Sequence, residues 1–202
     1  MIQNIRNFIF LFILTLTFSF VCFASDLPAS KAVGVFLSAG VGPRLPLGQF
    51  ASSTDLGYGL TVEGSYTDSD YLPFFVFARL GYEQFPGSTD FYQETDYTNY
   101  STTIVPFSLG IRYYFSPLTE STVLLIPVIE GSVSYTYFMV LNEFKVDSGR
   151  NNFKDNLWKF GGTIGAGLSM FILEIMANYT YYESNQYLSF NLNVRLPLFI
   201  NL

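Results

Sequence analysis

Alternation of apolar and polar residues is the strongest pattern in the chain. Every even position from Phe190 to Leu202 is apolar, and the odd positions next to them include Ser189, Asn191 and Arg195. A period of two residues is typical of a β-strand with two different faces, and a helical period of 3.6 residues does not fit it. The segment therefore predicts a strand with one wholly apolar face.

Seven further segments alternate in the same way. Their opposite faces are rich in Gly, Ser and Thr and poor in large apolar residues; the segments are 33–41, 58–66, 76–82, 105–113, 129–137, 158–170 and 175–181. A soluble β-sandwich has the reverse arrangement, with its large residues inside and its charges toward water. The pattern predicts an all-β fold, an eight-stranded antiparallel up-and-down transmembrane β-barrel that is apolar toward lipid and polar toward its lumen. A secreted sandwich or a lipocalin-like barrel is the alternative.

The connections between these strands predict an orientation. With the N-terminus in the periplasm, long connections face outward and short ones face the periplasm, as in outer-membrane barrels. The long ones are 43–56, 86–100, 140–156 and 183–187, and the short ones are 67–70, 116–121 and 171–173. Pro73, Pro127 and Pro197 fall near strand ends, whereas Pro106 falls inside a strand and predicts a bulge there.

The first 24 residues differ from the rest of the chain. Arg6 is their only charge, an apolar run extends from Phe8 to Phe23, and small residues stand at Cys22 and Ala24. This layout predicts a cleaved secretory signal peptide over 1–24 and a barrel domain over 25–202. An uncleaved membrane helix and a lipoprotein signal at Cys22 are the alternatives.

Composition narrows the chemistry. The chain of 202 residues is 50% hydrophobic and only 13% charged, with a net charge of −6, no His and one Cys. After residue 25 no apolar run approaches the length of a transmembrane helix, which excludes a helical membrane protein. The acidic balance argues against a nucleic-acid partner. Without imidazole groups or paired thiols, we expect no cofactor, no metal site and no enzymatic activity.

Charged residues on the polar faces predict a network in the lumen. Arg79, Arg112, Lys159 and Arg195 face inward together with Glu63, Glu83, Glu130 and Glu174. An eight-stranded barrel is only just wide enough for side chains, so charges inside it must pair. We expect Arg79 and Arg112 to bridge to Glu63 and Glu130. These four residues and Arg195 should lie nearest mid-height, and Lys159 belongs to the same network. A plugged lumen is one interpretation of this network, and a gated pore is the other.

Aromatic residues lie toward the ends of the apolar faces. Aromatic rings anchor at the lipid–water interface, so these residues predict an interface belt: Tyr58, Tyr66, Tyr82, Tyr113, Tyr135, Tyr137, Trp158, Tyr179 and Tyr181.

Three segments resemble a known family. The stretch from Gly34 to Phe50 resembles the first strand and loop of outer-membrane β-barrel domain proteins. Residues 105–115 resemble their fourth strand, and residues 165–182 their sixth and seventh. This group includes the OmpA membrane domain, OmpX/Ail-type, opacity-type and OmpW proteins.

The resemblance covers about residues 31–202 and implies an outer-membrane location, contact with membrane lipid and lipopolysaccharide, and insertion by the barrel-assembly machinery. It also implies that enzymes with this type of barrel work with a catalytic His, which this chain lacks. We therefore expect a monomeric, non-enzymatic outer-membrane barrel with a structural or surface-interaction role and an extracellular surface partner. The alternative is a narrow passive channel for small or apolar solutes, as in OmpW.

Overall fold

Eight antiparallel strands form a closed barrel in the computed structural model, which describes residues 33–68, 72–118, 125–170 and 172–201. Each strand pairs with the next, and the last pairs with the first, so the topology is up-and-down. The elements are β1 (Val33–Leu47), β2 (Gly57–Asp68), β3 (Leu72–Pro86), α1 (Thr89–Glu94), β4 (Tyr97–Tyr114), β5 (Ile126–Phe144), β6 (Phe153–Met170), β7 (Leu173–Tyr182) and β8 (Asn185–Asn201). The predicted fold class is confirmed.

The apolar faces point away from the barrel axis. Leu60 and Ile164 are 52% and 67% exposed, whereas Glu63 and Asn178 are 4% and 3% exposed. Polar groups are inside and apolar groups are outside, which is the distribution that a lipid environment requires of a transmembrane barrel. Closure pairs the two terminal strands, so the barrel has no free edge of backbone N–H and C=O groups.

The longest strands exceed the length needed to cross a membrane. β5 has 19 residues and β4 and β6 have 18 each, against about 9–11 for a tilted transmembrane strand. The connections after β1, β3, β5 and β7 lie at one end of the barrel, which we call the loop end. The opposite end, where β1 begins and β8 finishes, is the terminal end. Among the described residues, no helix has the length and the apolar character needed to cross a membrane.

Several connections differ from their predicted lengths. Strands continue into the predicted loops 43–56, 86–100 and 140–156, so the connections shorten to 48–56, 87–96 and 145–152. The predicted long connection 183–187 is wrong, because β7 and β8 are joined by the two-residue turn of Glu183 and Ser184. The predicted short connection 116–121 is part of a longer one, 115–125, of which 119–124 lie outside the described residues. The regular alternation of long and short connections is therefore wrong.

The prediction of a bulge at Pro106 is also wrong. The β3–β4 register is the same at Leu80↔Phe107 and at Glu83↔Ile104, on either side of the proline. Gly81 makes room for the ring, because a Cβ there would lie 2.8 Å from Pro106 Cγ. The sheet accommodates the proline ring through a small opposing residue, without a shift in register.

The bulge lies instead in β8. Val35 pairs with Phe199 while Phe36 pairs with Pro197, which leaves Leu198 as the extra residue. The alternation of even positions therefore ends near Pro197, and Phe199 joins the outward face with 56% exposure. The predicted signal peptide over 1–24 lies outside the described residues and stays a prediction, as does the 25–202 domain boundary.

Candidate functional site

Six charged side chains meet in the middle of the lumen. The register places Glu63 opposite Arg79 in β2 and β3, and Arg112 opposite Glu130 in β4 and β5. Glu174 of β7 and Arg195 of β8 extend the group across the barrel. These six residues form the charge cluster: Glu63, Arg79, Arg112, Glu130, Glu174 and Arg195. Three guanidinium groups face three carboxyl groups, so the formal charges of the cluster balance.

Two arginines bridge the same pair of carboxylates. Arg79 Nη2 lies 2.7 Å from Glu63 Oε2 and 2.8 Å from Glu130 Oε2. Arg112 Nη1 lies 2.8 Å from Glu63 Oε1, and its Nε donates to Glu130 Oε2 at 2.9 Å. The planar fork of a guanidinium suits such double contacts. Because a buried unpaired charge is costly, each of the four side chains depends on the others.

The other two members connect the charge cluster to the terminal end. Glu174 Oε2 accepts a hydrogen bond from the Tyr114 hydroxyl at 2.8 Å, and its Oε1 lies 3.4 Å from Arg112 Nη1. The Arg195 Cζ atom lies 5.2 Å from the Tyr114 ring centroid, 5.7 Å from that of Phe75 and 6.0 Å from that of Phe36. Three aromatic rings thus surround the guanidinium with cation–π contacts.

A second ion pair lies nearer the loop end, and the sequence reasoning missed it. Arg44 is 1% exposed, and its Nε donates to Glu83 Oε1 at 2.8 Å. Gly59 makes room for it, since a Cβ there would lie 2.5 Å from Arg44 Nη2. Arg44 fell within the predicted loop 43–56. The alternation of β1 could have identified it. The even positions of this strand continue to face inward past Pro43 and Pro46, so Arg44 also faces inward.

Lys159 faces inward but does not join the charge cluster. Its Nζ donates to the Glu183 backbone carbonyl at 2.8 Å and to Asn185 Oδ1, and it lies 5.1 Å from the Phe138 ring centroid. These partners belong to the loop end. The structure therefore brings five of the six residues predicted for the network together and places Lys159 apart from them.

A cluster of buried, mainly aromatic side chains, which we call the aromatic cap, occupies the lumen at the loop end. Its members are buried and in mutual contact: Phe50, Phe85, Ile104, Phe138, Tyr182 and Tyr187. Phe50 comes from the 3-10 turn 48–52 after β1 and contacts Phe85 with ring centroids 4.8 Å apart. The Tyr182 hydroxyl lies 3.0 Å from Ser134 Oγ and 2.9 Å from Thr136 Oγ1, so its polar end is satisfied inside the barrel.

The residues of the predicted aromatic belt lie on the outward face. Tyr66 and Tyr113 lie toward the terminal end, and the other seven lie toward the loop end. Trp158 is 60% exposed and stacks on Tyr135 with ring centroids 4.8 Å apart and an interplanar angle of 11°. The rings toward the loop end lie on β2, β3, β5, β6 and β7.

The lumen is therefore filled by side chains over most of its height. From the terminal end upward, it contains the three rings around Arg195, the charge cluster, the ion pair of Arg44 with Glu83, and the aromatic cap. In the part of the chain that the structure describes, no group of three or more His, Cys, Asp or Glu side chains could hold a metal ion. The arrangement balances charge and occupies space.

Among known proteins, similar chains were found in the solved structures. No family model and no curated protein match this sequence. The chain is similar to the crystal structure of Neisserial surface protein A (NspA), with a TM-score of 0.48 and 12% identity over 83% of this chain and 99% of that one.

Two further solved barrels are similar. One is the N-terminal β-barrel domain of Pseudomonas aeruginosa OprF, with a TM-score of 0.42 and 13% identity over 82% of this chain and 100% of that one. The other is Ail, the attachment invasion locus protein of Yersinia pestis, in complex with the heparin analogue sucrose octasulfate, with a TM-score of 0.43 and 9% identity over 83% and 100%. By its own strand order and register, this chain has the fold of a closed, eight-stranded, up-and-down antiparallel barrel.

Proposed function

We propose that the protein is a non-enzymatic outer-membrane barrel with a lumen plugged by side chains and a loop end that makes contacts at the cell surface. The charge cluster is the observation that carries the proposal. Its ion pairs connect β2, β3, β4, β5, β7 and β8 across the lumen. A solute that crossed the barrel would have to separate buried, paired charges.

The surroundings of the barrel support the same role. An apolar outer band with aromatic edges suits contact with lipid and lipopolysaccharide in the outer membrane, after insertion by the barrel-assembly machinery. Strand pairing closes within one chain, so the barrel needs no second copy for completion, and we propose a monomer.

The loop end presents aromatic side chains that suit contact with an extracellular partner. Phe91, Tyr97 and Tyr100 form an aromatic group, with the Phe91 ring centroid 5.1 Å from each of the other two. Next to it, the Lys145 Nζ donates to the backbone carbonyls of Tyr92 and Thr95 at 3.2 and 2.8 Å, which joins the connection after β5 to the one after β3. Aromatic side chains of this kind are enriched where proteins contact each other.

Single-channel recording in a planar lipid bilayer tests the plug. We expect the refolded wild-type protein to give no conductance steps. The comparison is a double variant, Tyr182→Ala and Arg112→Ala. It shortens one residue of the aromatic cap and one of the charge cluster, and we expect it to open the lumen to conductance. Heat-dependent migration on gels shows that each sample contains folded barrels. Reproducible openings of the wild-type protein would contradict the plug and favour a narrow passive channel for small or apolar solutes.

A further inference from the structure

A small polar cavity separates the charge cluster from the aromatic cap. Its volume is about 30 Å³, and Arg44, Glu83, Asn178, Thr180 and Asn191 are among the side chains that line it. A cavity needs roughly 10–15 Å³ of such space to hold one water molecule. The cavity is thus large enough for one or two water molecules and too small for an organic ligand.

Three side-chain oxygen atoms of residues that line the cavity lack hydrogen-bond partners. Glu83 Oε2, Asn178 Oδ1 and Asn191 Oδ1 are buried and receive no hydrogen bond from any described residue. Their residues are 4%, 3% and 6% exposed. A buried acceptor without a donor carries the full cost of its desolvation. Three such acceptors on one cavity point to a ligand that donates hydrogen bonds.

The two guanidinium groups that border the cavity direct their hydrogen bonds to other acceptors. Arg44 donates through Nε to Glu83 Oε1 and through Nη1 to the carbonyls of Gly42 and Pro43. Arg79 donates to the carboxylates of Glu63 and Glu130, outside the cavity. Both guanidinium groups still border the cavity and would repel a metal cation. The chemistry favours a neutral donor over a charged one.

We propose that this cavity is a water-binding site, in which one or two water molecules donate hydrogen bonds to Glu83 Oε2, Asn178 Oδ1 and Asn191 Oδ1. The lumen then contains bound water between two closed layers, the charge cluster below and the aromatic cap above. The proposal deepens the plugged lumen of the proposed function and rests on it, because long-lived bound water requires that both layers stay closed.

Water-to-amide cross-relaxation in NMR spectra of the folded barrel tests the site. We expect cross-peaks with the sign of long-lived bound water on the side-chain amide protons of Asn178 and Asn191. Asn142 is the internal control, since it is buried but its Nδ2 donates to the Val140 carbonyl outside the cavity. We expect no such cross-peak there.

A variant separates bound water from other sources of the signal. Asn191→Leu keeps a similar volume but removes one acceptor, and we expect it to abolish the Asn178 cross-peak while the backbone spectrum stays that of a folded barrel. Absence of cross-peaks on both wild-type amides, an equal cross-peak on Asn142, or an unchanged Asn178 cross-peak in the variant would overturn the site. If the wild-type protein gives no conductance steps and its NMR spectra show no water cross-peaks, only the water site is overturned. If the wild-type protein conducts, the plugged lumen is overturned.

Discussion

At the scale of single residues, glycines allow the lumen to be filled. Gly110 illustrates this role, because a Cβ built there would lie 2.5 Å from Phe77 Cζ and 2.5 Å from the Gly131 carbonyl oxygen. Phe77 in turn supports the charge cluster, with its ring centroid 4.7 Å from Arg79 Cζ and 5.0 Å from Arg112 Cζ. The small residue on β4 is thus a condition for the packing of its neighbours.

Gly110→Ala is therefore expected to lower the free energy of unfolding by about 1–3 kcal/mol, the usual cost of overpacking a filled interior. Urea unfolding of the barrel from lipid vesicles measures the change. Gly131→Ala is the matched control, since Gly131 lies on the neighbouring strand and a Cβ there has nothing within 4 Å. An equal loss in both variants would contradict the role of Gly110.

Removal of one charge tests the interdependence of the charge cluster. Glu130→Gln leaves Arg79 and Arg112 with too little negative charge, and we expect the free energy of unfolding to fall by about 3–5 kcal/mol. The same urea titration measures it. Glu143→Gln, on the same strand, keeps an acceptor for Asn99 Nδ2 and should change stability by less than about 0.5 kcal/mol. A near-neutral Glu130→Gln would show that the ion pairs contribute little.

At the scale of elements, the β7–β8 turn depends on one backbone conformation. Ser184 has φ of 63°, in the left-handed region, and is the one non-glycine residue with positive φ among those described. A side chain raises the energy of that conformation, and glycine relieves it.

We expect Ser184→Gly to raise the free energy of unfolding by about 0.5–1 kcal/mol, because the strain of the Cβ disappears. Glu183→Gly, at the other turn position, has no positive φ to relieve and should lower stability instead. Urea unfolding curves of the two variants, measured side by side with the wild type, test this difference in stability. Stabilisation by both substitutions, or by neither, would be inconsistent with the described turn.

Sequence patterns predict the faces of the strands much better than the strand ends. Glu63, Arg79, Arg112, Glu130 and Arg195 could be assigned to one network because alternation fixes the inward face and confinement forces charges to pair. The same alternation also assigns Lys159 to the network, but it does not show that Lys159 binds partners at the loop end instead, because that depends on the register across several strands. The β8 bulge was hidden by consecutive apolar residues, which look the same in either parity.

At the scale of the whole molecule, the barrel is the inverse of a soluble protein. Charged and amide side chains lie in the lumen, where they pair or face a polar cavity, and aliphatic side chains lie on the outside. The low charged fraction of 13% follows from this arrangement, since lipid rather than water covers most of the outer surface. The proposed plug and the apolar outer face depend on the same alternation of residues along each strand.

The single Trp of the chain allows the most direct test of this orientation. Trp158 is 60% exposed on the outward face of β6, toward the loop end. In vesicles that contain brominated lipids, we expect strong quenching of its fluorescence, and stronger quenching by bromines near the headgroups than by bromines near the bilayer centre. Absence of quenching by either lipid, with the folded protein remaining in the aqueous phase, would contradict a transmembrane barrel.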